Sequence, residues 1–101
     1  MRRTKIDIPR ERIAEFCRKW KIRELALFGS VLSDEFRPES DVDVLVTFGP
    51  DGGITFNNRV EMLDELSAIF GREVDLVERD SIRNPFRRHS ILTTREILYA
   101  A

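Results

Sequence analysis

Gly29-Ser30, ten further residues and then Asp41-Val42-Asp43 form the spacing that most constrains how this chain can fold. Residues 41–48, DVDVLVTF, are dominated by β-branched side chains and read as a strand, in which successive side chains point to opposite faces. Asp41 and Asp43 therefore share a face, with Cα atoms ~6.5–7 Å apart, and their carboxylates converge on one small region. Such a pair repels unless a divalent cation lies between its members. With no Cys or His nearby the available ligands are all oxygen, which favours Mg²⁺ or Mn²⁺ over Zn²⁺.

The glycine-serine pair supplies the other half of a phosphate site. Residues 24–28, ELALF, read as a short hydrophobic strand ending at Gly29, and SVLSDEF after it suits one or two helical turns. A glycine at that junction lets backbone N–H groups approach an anion, and Ser30 adds a hydroxyl donor. Glu39 and Ser40 lead back into the carboxylate strand, with Pro38 holding residue 37 extended and closing the loop. Alone, Gly29-Ser30 is more often an ordinary strand-to-helix turn with a serine cap, and the carboxylates that follow it reverse that reading.

A second strand candidate, Glu73–Val77, places Asp75 between Val74 and Leu76. If it pairs beside the first, Asp75 joins the cluster. Three carboxylates with two metal ions about 3.5–4 Å apart would bind a nucleotide, activate an acceptor hydroxyl and stabilise the leaving pyrophosphate.

The run LFGSVLSDEFRPESDVDVLVTF, with EVDLVE downstream, resembles the minimal nucleotidyltransferase (MNT) family, whose signature is G-S-x10-D-x-D followed by a later Asp. The closing RNPFRRHSILTTREILYA looks like that family's last helix and strand, so the resemblance covers nearly the whole chain. It implies a polymerase-β-like nucleotidyltransferase fold, α+β in class, with a mixed β-sheet packed by helices. Carried over by position, Gly29, Ser30 and Ser40 are the nucleotide-binding candidates. Asp41, Asp43 and Asp75 are the catalytic and metal-binding ones, with Asp75 either a ligand or the general base. The resemblance further implies ATP as substrate, Mg²⁺ as cofactor and the role of an antitoxin that adds AMP to a tyrosine of an all-helical HEPN ribonuclease. One departure stands out: many relatives carry a basic residue three positions after the motif serine, and here that position is Ser33, followed by Asp34 and Glu35. Arg37 and the arginines of the last helix are the candidates to compensate.

With 101 residues, 42% of them hydrophobic, the expectation is one compact domain over 1–101, without linker or repeat. Such a chain has no added domain to grip an acceptor, which points to a complex. A net charge of −1, from 17 basic and 18 acidic residues, disfavours a broad nucleic-acid-binding surface. The single Cys17 forms no disulfide framework, and residues 1–13 hold no apolar stretch of signal or membrane length, so a cytoplasmic protein is expected.

The remaining elements follow from periodicity. A first helix runs from about Pro9 to Trp20, with Ile13, Phe16, Cys17 and Trp20 on one face. After the GPDGG loop, Asn57 or Asn58 caps a helix that reaches Phe70 with Met62, Leu63, Leu66 and Ile69 apolar, and Gly71 ends it. Asn84-Pro85 opens a short helix to about Leu92, and EILYA closes the chain as an edge strand. The order is α-β-α-β-α-β-α-β. Arg83, Arg87, Arg88 and His89 read by default as a solvated helix face, with Arg87 and Arg88 able to meet a partner or the nucleotide instead.

Two functions compete: transfer of a nucleotidyl group to a hydroxyl on a partner protein, and a non-catalytic module that blocks a HEPN partner by binding. Transfer to a small alcohol or amine uses the same chemistry but requires a substrate pocket from an added domain.

Overall fold

The computed structural model describes residues 8–33, 37 and 39–101. Asp34, Glu35 and Pro38 lie outside the described residues. Helix α1 spans Arg10–Trp20, strand β1 Ile22–Phe28, β2 Val42–Phe48, α2 Phe56–Phe70, β3 Val74–Glu78, α3 Pro85–Thr94 and β4 Glu96–Ala100, with single 3₁₀ turns at Gly29–Leu32 and Arg79–Ser81. The expected order holds. The short second helix is a 3₁₀ turn over its described part.

The four strands form one mixed sheet in the order β3-β2-β1-β4. β1 pairs antiparallel with both β2 and β4, and β2 pairs parallel with β3. Parallel neighbours need a crossover connection, and α2 provides it. The closing strand is at an edge, as EILYA suggested.

Alternation along β2 sorts the two faces. Val42, Val44 and Val46, all fully buried, join Ile13, Phe16, Cys17, Met62, Leu66 and Phe70 in the main core beneath α1 and α2. Leu45 points the other way and packs with Phe28, Ile82 and Ile91 in a smaller core closed by α3. The apolar stripes expected for the first two long helices are therefore the buried ones, although Trp20, Leu63 and Ile69 are only partly covered. Trp20 uses its edge position: its Nε1–H donates to Glu65 at 3.1 Å and ties α1 to α2. An Arg95–Glu24 ion pair of 2.7 Å, both side chains mostly covered, fixes the start of β4 to β1.

Helix ends follow local chemistry with two changes from expectation. Pro9 precedes α1 as its cap rather than opening it. α2 starts earlier than the asparagines suggested: Thr55 is the N-cap, accepting the Asn58 N–H, while the Asn58 side chain accepts the Thr55 N–H at 2.7 Å. This reciprocal capping box outcompetes a cap at Asn57 or Asn58 because it satisfies two orphan donors at once. Gly71, at φ 70°, ends α2 as expected. Asn84 accepts the N–H groups of Phe86 and Arg87, and Pro85 occupies the first helical position of α3. Replacing that cap, Asn84→Ala, is expected to lower stability by about 1 kcal/mol, read as a shift in the urea midpoint with unchanged slope.

Candidate active site

β2 carries Asp43 at its second position, with Asp41 one residue ahead of the strand. The alternation that buries Val42 and Val44 turns Asp43 to the face where α3 packs. In the parallel ladder Asp43 is the register partner of Asp75, and Val42 and Val44 are those of Val74 and Leu76. Directly paired residues on adjacent strands project to the same side, about 4.8 Å apart at the backbone. Asp75 thus stands beside Asp43 because β3 adds to that edge of β2 in this register. Asp41 and Asp75 are exposed and Asp43 is half-buried.

The glycine-serine bend closes over the same carboxylate. Phe28, the last residue of β1, pairs with Asp43 across the antiparallel ladder, so Gly29 emerges next to it. Gly29 has φ +77°, a left-handed conformation, and a Cβ at this position would overlap the Asp43 carboxylate oxygen. Conformation and space both require glycine here. The Ser30 N–H donates to Asp43, and the Ser30 carbonyl accepts both the N–H and the hydroxyl of Ser33, at 2.9 and 3.0 Å, tightening the turn.

Burial pushes the Asp43 carboxyl above its ordinary value of 3.8, and the neighbouring charges of Asp75 and Asp41 push it further. The Arg87 guanidinium and the Ser30 N–H act in the opposite sense. The charges of Asp41 and Asp75 therefore both reach Asp43, and Gly29 of the bend lies against that carboxyl. Among the described residues no three acid, histidine or cysteine side chains are placed so as to hold a metal ion together. The donor set still fits a hard divalent cation: the ligands are all carboxylate oxygen, and their mutual repulsion is the imbalance that such an ion relieves. His89 is exposed on α3 and has no place in this set.

Ser40 is used differently from Gly29 and Ser30. Its hydroxyl accepts the Arg37 N–H at 3.0 Å, and its N–H donates to the Arg37 carbonyl, closing a turn at the entrance to β2. Arg72 braces this turn by donating to the carbonyls of Arg37 and Ser40.

Two grooves lie on this side of the molecule, one at the bend and one at Asp75. One, of about 610 Å³, runs between the 3₁₀ turn and α3 and is lined by Phe28, Gly29, Leu32, Ser33, Arg87 and Ile91 among others. The other, of about 450 Å³, contains Asp75 with Ile54, Arg59, Glu78, Ser81 and Arg87. Arg87 borders both. Of the two readings the sequence allows for Arg87, a solvated face or contact with a partner or nucleotide, the second has a local signal: Arg87 stands four residues before Ile91, which packs against the sheet, and so shares that side of α3. Arg59 carried no such signal, since its position depends on where α2 crosses β3.

Comparison with known proteins identifies relatives of this chain and of its fold. The family model described as "Nucleotidyltransferase domain" matches residues 10–98. A Methanocaldococcus jannaschii protein provisionally named protein adenylyltransferase MJ1379 is 38% identical over 73 residues, 72% of this chain and 73% of that one. A crystal structure of a toxin-antitoxin with AMP-PNP superposes with a TM-score of 0.71 at 22% identity, over 92% of this chain and 74% of that one. Another, of tri-AMPylated Shewanella oneidensis HEPN toxin in complex with MNT antitoxin, gives 0.63 at 22% identity, over 91% and 70%.

The raised carboxyl at Asp43 has a consequence for stability. The folded chain holds that proton more tightly than the unfolded chain, so stability falls as pH rises from 3.8 through the raised value, and the full penalty applies at neutral pH. Asp43→Asn removes the charge and keeps an acceptor for the Ser30 N–H. In EDTA at pH 7 the variant is expected to melt a few degrees above the parent, and the difference should shrink as pH is lowered toward 3.8. Thermal melts across pH check this, and an Asn variant no more stable than the parent at pH 7 would contradict it.

Proposed function

We propose, for a chain that belongs to the nucleotidyltransferase domain family, that it transfers the adenylyl group of ATP to a hydroxyl on a partner protein and thereby serves as the antitoxin of a HEPN-type toxin. What supports this reading is the pairing of Asp75 beside Asp43, the effect of the Asp41 and Asp75 charges on that carboxyl, and the Gly29 backbone packed against it. Likeness to a named adenylyltransferase and to complexes of an MNT antitoxin with a HEPN toxin supports the substrate and the partner.

The reaction is an in-line displacement at phosphorus. The acceptor oxygen bonds to the α-phosphorus, the bond from that phosphorus to the bridging oxygen breaks, pyrophosphate leaves and the acceptor hydroxyl loses its proton. Asp41, Asp43 and Asp75 would hold two Mg²⁺ ions, with Mn²⁺ an alternative, and these ions supply positive charge to the phosphates and acidify the acceptor hydroxyl. Gly29 leaves its backbone bare so that the triphosphate can approach the bend, and Ser30 offers donors there. Asp75, exposed in the 450 Å³ groove, meets the acceptor side and either shares an ion or takes the acceptor proton. With ATP as donor, the reaction belongs in the cytoplasm. Among the described residues no helix is long and apolar enough to cross a membrane.

The acceptor groove also has an apolar approach. Phe56 and Phe86, 96% and 85% exposed, lie in the first turns of α2 and α3, the helices that bring Arg59 and Arg87 to that groove. They offer contact area to the partner polypeptide. Replacing both with Ala is expected to raise the KM for the protein acceptor about 10-fold and leave that for ATP unchanged in steady-state kinetics.

The decisive experiment incubates this protein with ATP, Mg²⁺ and a HEPN-type helical protein from the same source, and follows the partner by intact-mass spectrometry. Adenylyl increments are expected with the parent chain, and Asp43→Asn should reduce the rate by more than ~100-fold, beyond the usual effect of losing an outer-shell metal contact. A stable stoichiometric complex that gains no mass would instead establish a blocking module without catalysis.

A further inference from the structure

We infer that Arg87 is the side chain that grips the triphosphate of the donor nucleotide, in the groove between the 3₁₀ turn and α3. This inference rests on the nucleotidyl-transfer reading above and adds to it a phosphate-binding residue from a distant part of the chain.

Arg87 is the one charged side chain among the described residues that line this groove; the other polar walls come from neutral Ser33, Ser90 and Thr94. Gly29, where the triphosphate meets bare backbone, lines the same groove. Ser33, at the end of the turn, directs its hydroxyl back to the Ser30 carbonyl and brings no charge. Apart from Arg87, a polyanion entering here meets only neutral walls, with the Asp43 carboxylate just behind Gly29. A polyanion beside a carboxylate needs a cation, and Arg87 is the one this groove offers, within Coulombic reach of Asp43.

Nearby arginines are engaged elsewhere. Arg88 donates to the Arg79 carbonyl at 2.9 Å, Arg59 to the Leu76 carbonyl at 3.1 Å, and Arg72 to the turn before β2. Each of these positions backbone. The Arg87 guanidinium takes part in no ion pair among the described residues. Its placement is nevertheless well defined, because Asn84 and Pro85 set the start of α3 and Ile91 seats the same face of the helix on the sheet. A planar guanidinium is suited to bidentate contact with phosphate oxygens. Since Arg87 also borders the groove of Asp75, it can hold the phosphates at the boundary between donor and acceptor.

The test is equilibrium titration of the full chain with inorganic tripolyphosphate and with Mg·ATP, using the parent, Arg87→Gln, Arg87→Lys and Arg83→Ala. Loss of Arg87 to Gln should weaken tripolyphosphate and Mg·ATP binding about 10- to 100-fold, the range for a charged hydrogen-bonding partner. Lys should recover part of the loss, and Arg83→Ala, an exposed arginine outside both grooves, should bind as the parent does. In transfer assays the Gln variant should raise the KM for ATP and leave that for the protein acceptor unchanged. Thermal melts show whether the Gln variant is folded, and if it is not, the Lys variant decides through its intermediate affinity. Equal binding by the parent and a folded Gln variant overturns the role of Arg87 and leaves the transfer reading intact. A parent chain that binds neither tripolyphosphate nor Mg·ATP overturns both.

Discussion

The approach of the Gly29–Ser30 bend to the Asp43 carboxylate is the contact on which the rest of the site depends. It joins the end of β1 to the second residue of β2, and the Phe28–Asp43 pairing brings the two within reach. A left-handed residue without a side chain is needed on one partner, and a half-buried carboxylate accepting a backbone N–H is the other. Asp43 sits among like charges, so its position would drift without a fixed donor. The bend supplies that donor and leaves open the space beside it.

The sheet turns this local contact into a site. Alternation along β2 assigns valines to the main core and acids to the opposite face, so the strand that anchors the fold also carries the chemistry. α3 closes only part of that second face, over Phe28 and Leu45, and leaves the acids at its border. The groove holding Gly29 and the one holding Asp75 flank this border, and Arg87 stands between them. Donor and acceptor can therefore approach from different sides. Charge repulsion among the acids is a standing cost to the fold, tolerable because Asp41 and Asp75 remain exposed and only Asp43 is drawn inward.

Much of this was legible where physics acts over a few residues. The two-residue period of DVDVLVTF put Asp41 and Asp43 on one face, and Gly71 and Asn84-Pro85 marked helix ends through backbone requirements that few other residues meet. Thr55 was missed because asparagine and threonine are both good caps, and the choice fell to a reciprocal pair of hydrogen bonds with Asn58. Ser40 was grouped with the nucleotide candidates by resemblance, while its hydroxyl in the fold closes the turn with Arg37. Arg87 looked like one member of a basic run; the α3 contact with the sheet separates it from Arg88, which bonds to the Arg79 carbonyl.

By itself the sequence determined the strands and helices, the alternation that separates Asp43 from the valines of β2, and the turn after β1, because dihedral preference and side-chain periodicity are encoded between near neighbours. Tertiary structure decided that β3 lies parallel to β2 with Asp75 beside Asp43, that the bend touches this carboxylate, and that Arg87 faces the same space. Those outcomes depend on strand order, register and the docking of α3. Each is set by burying apolar surface across the whole chain, and no local stretch of residues carries that information.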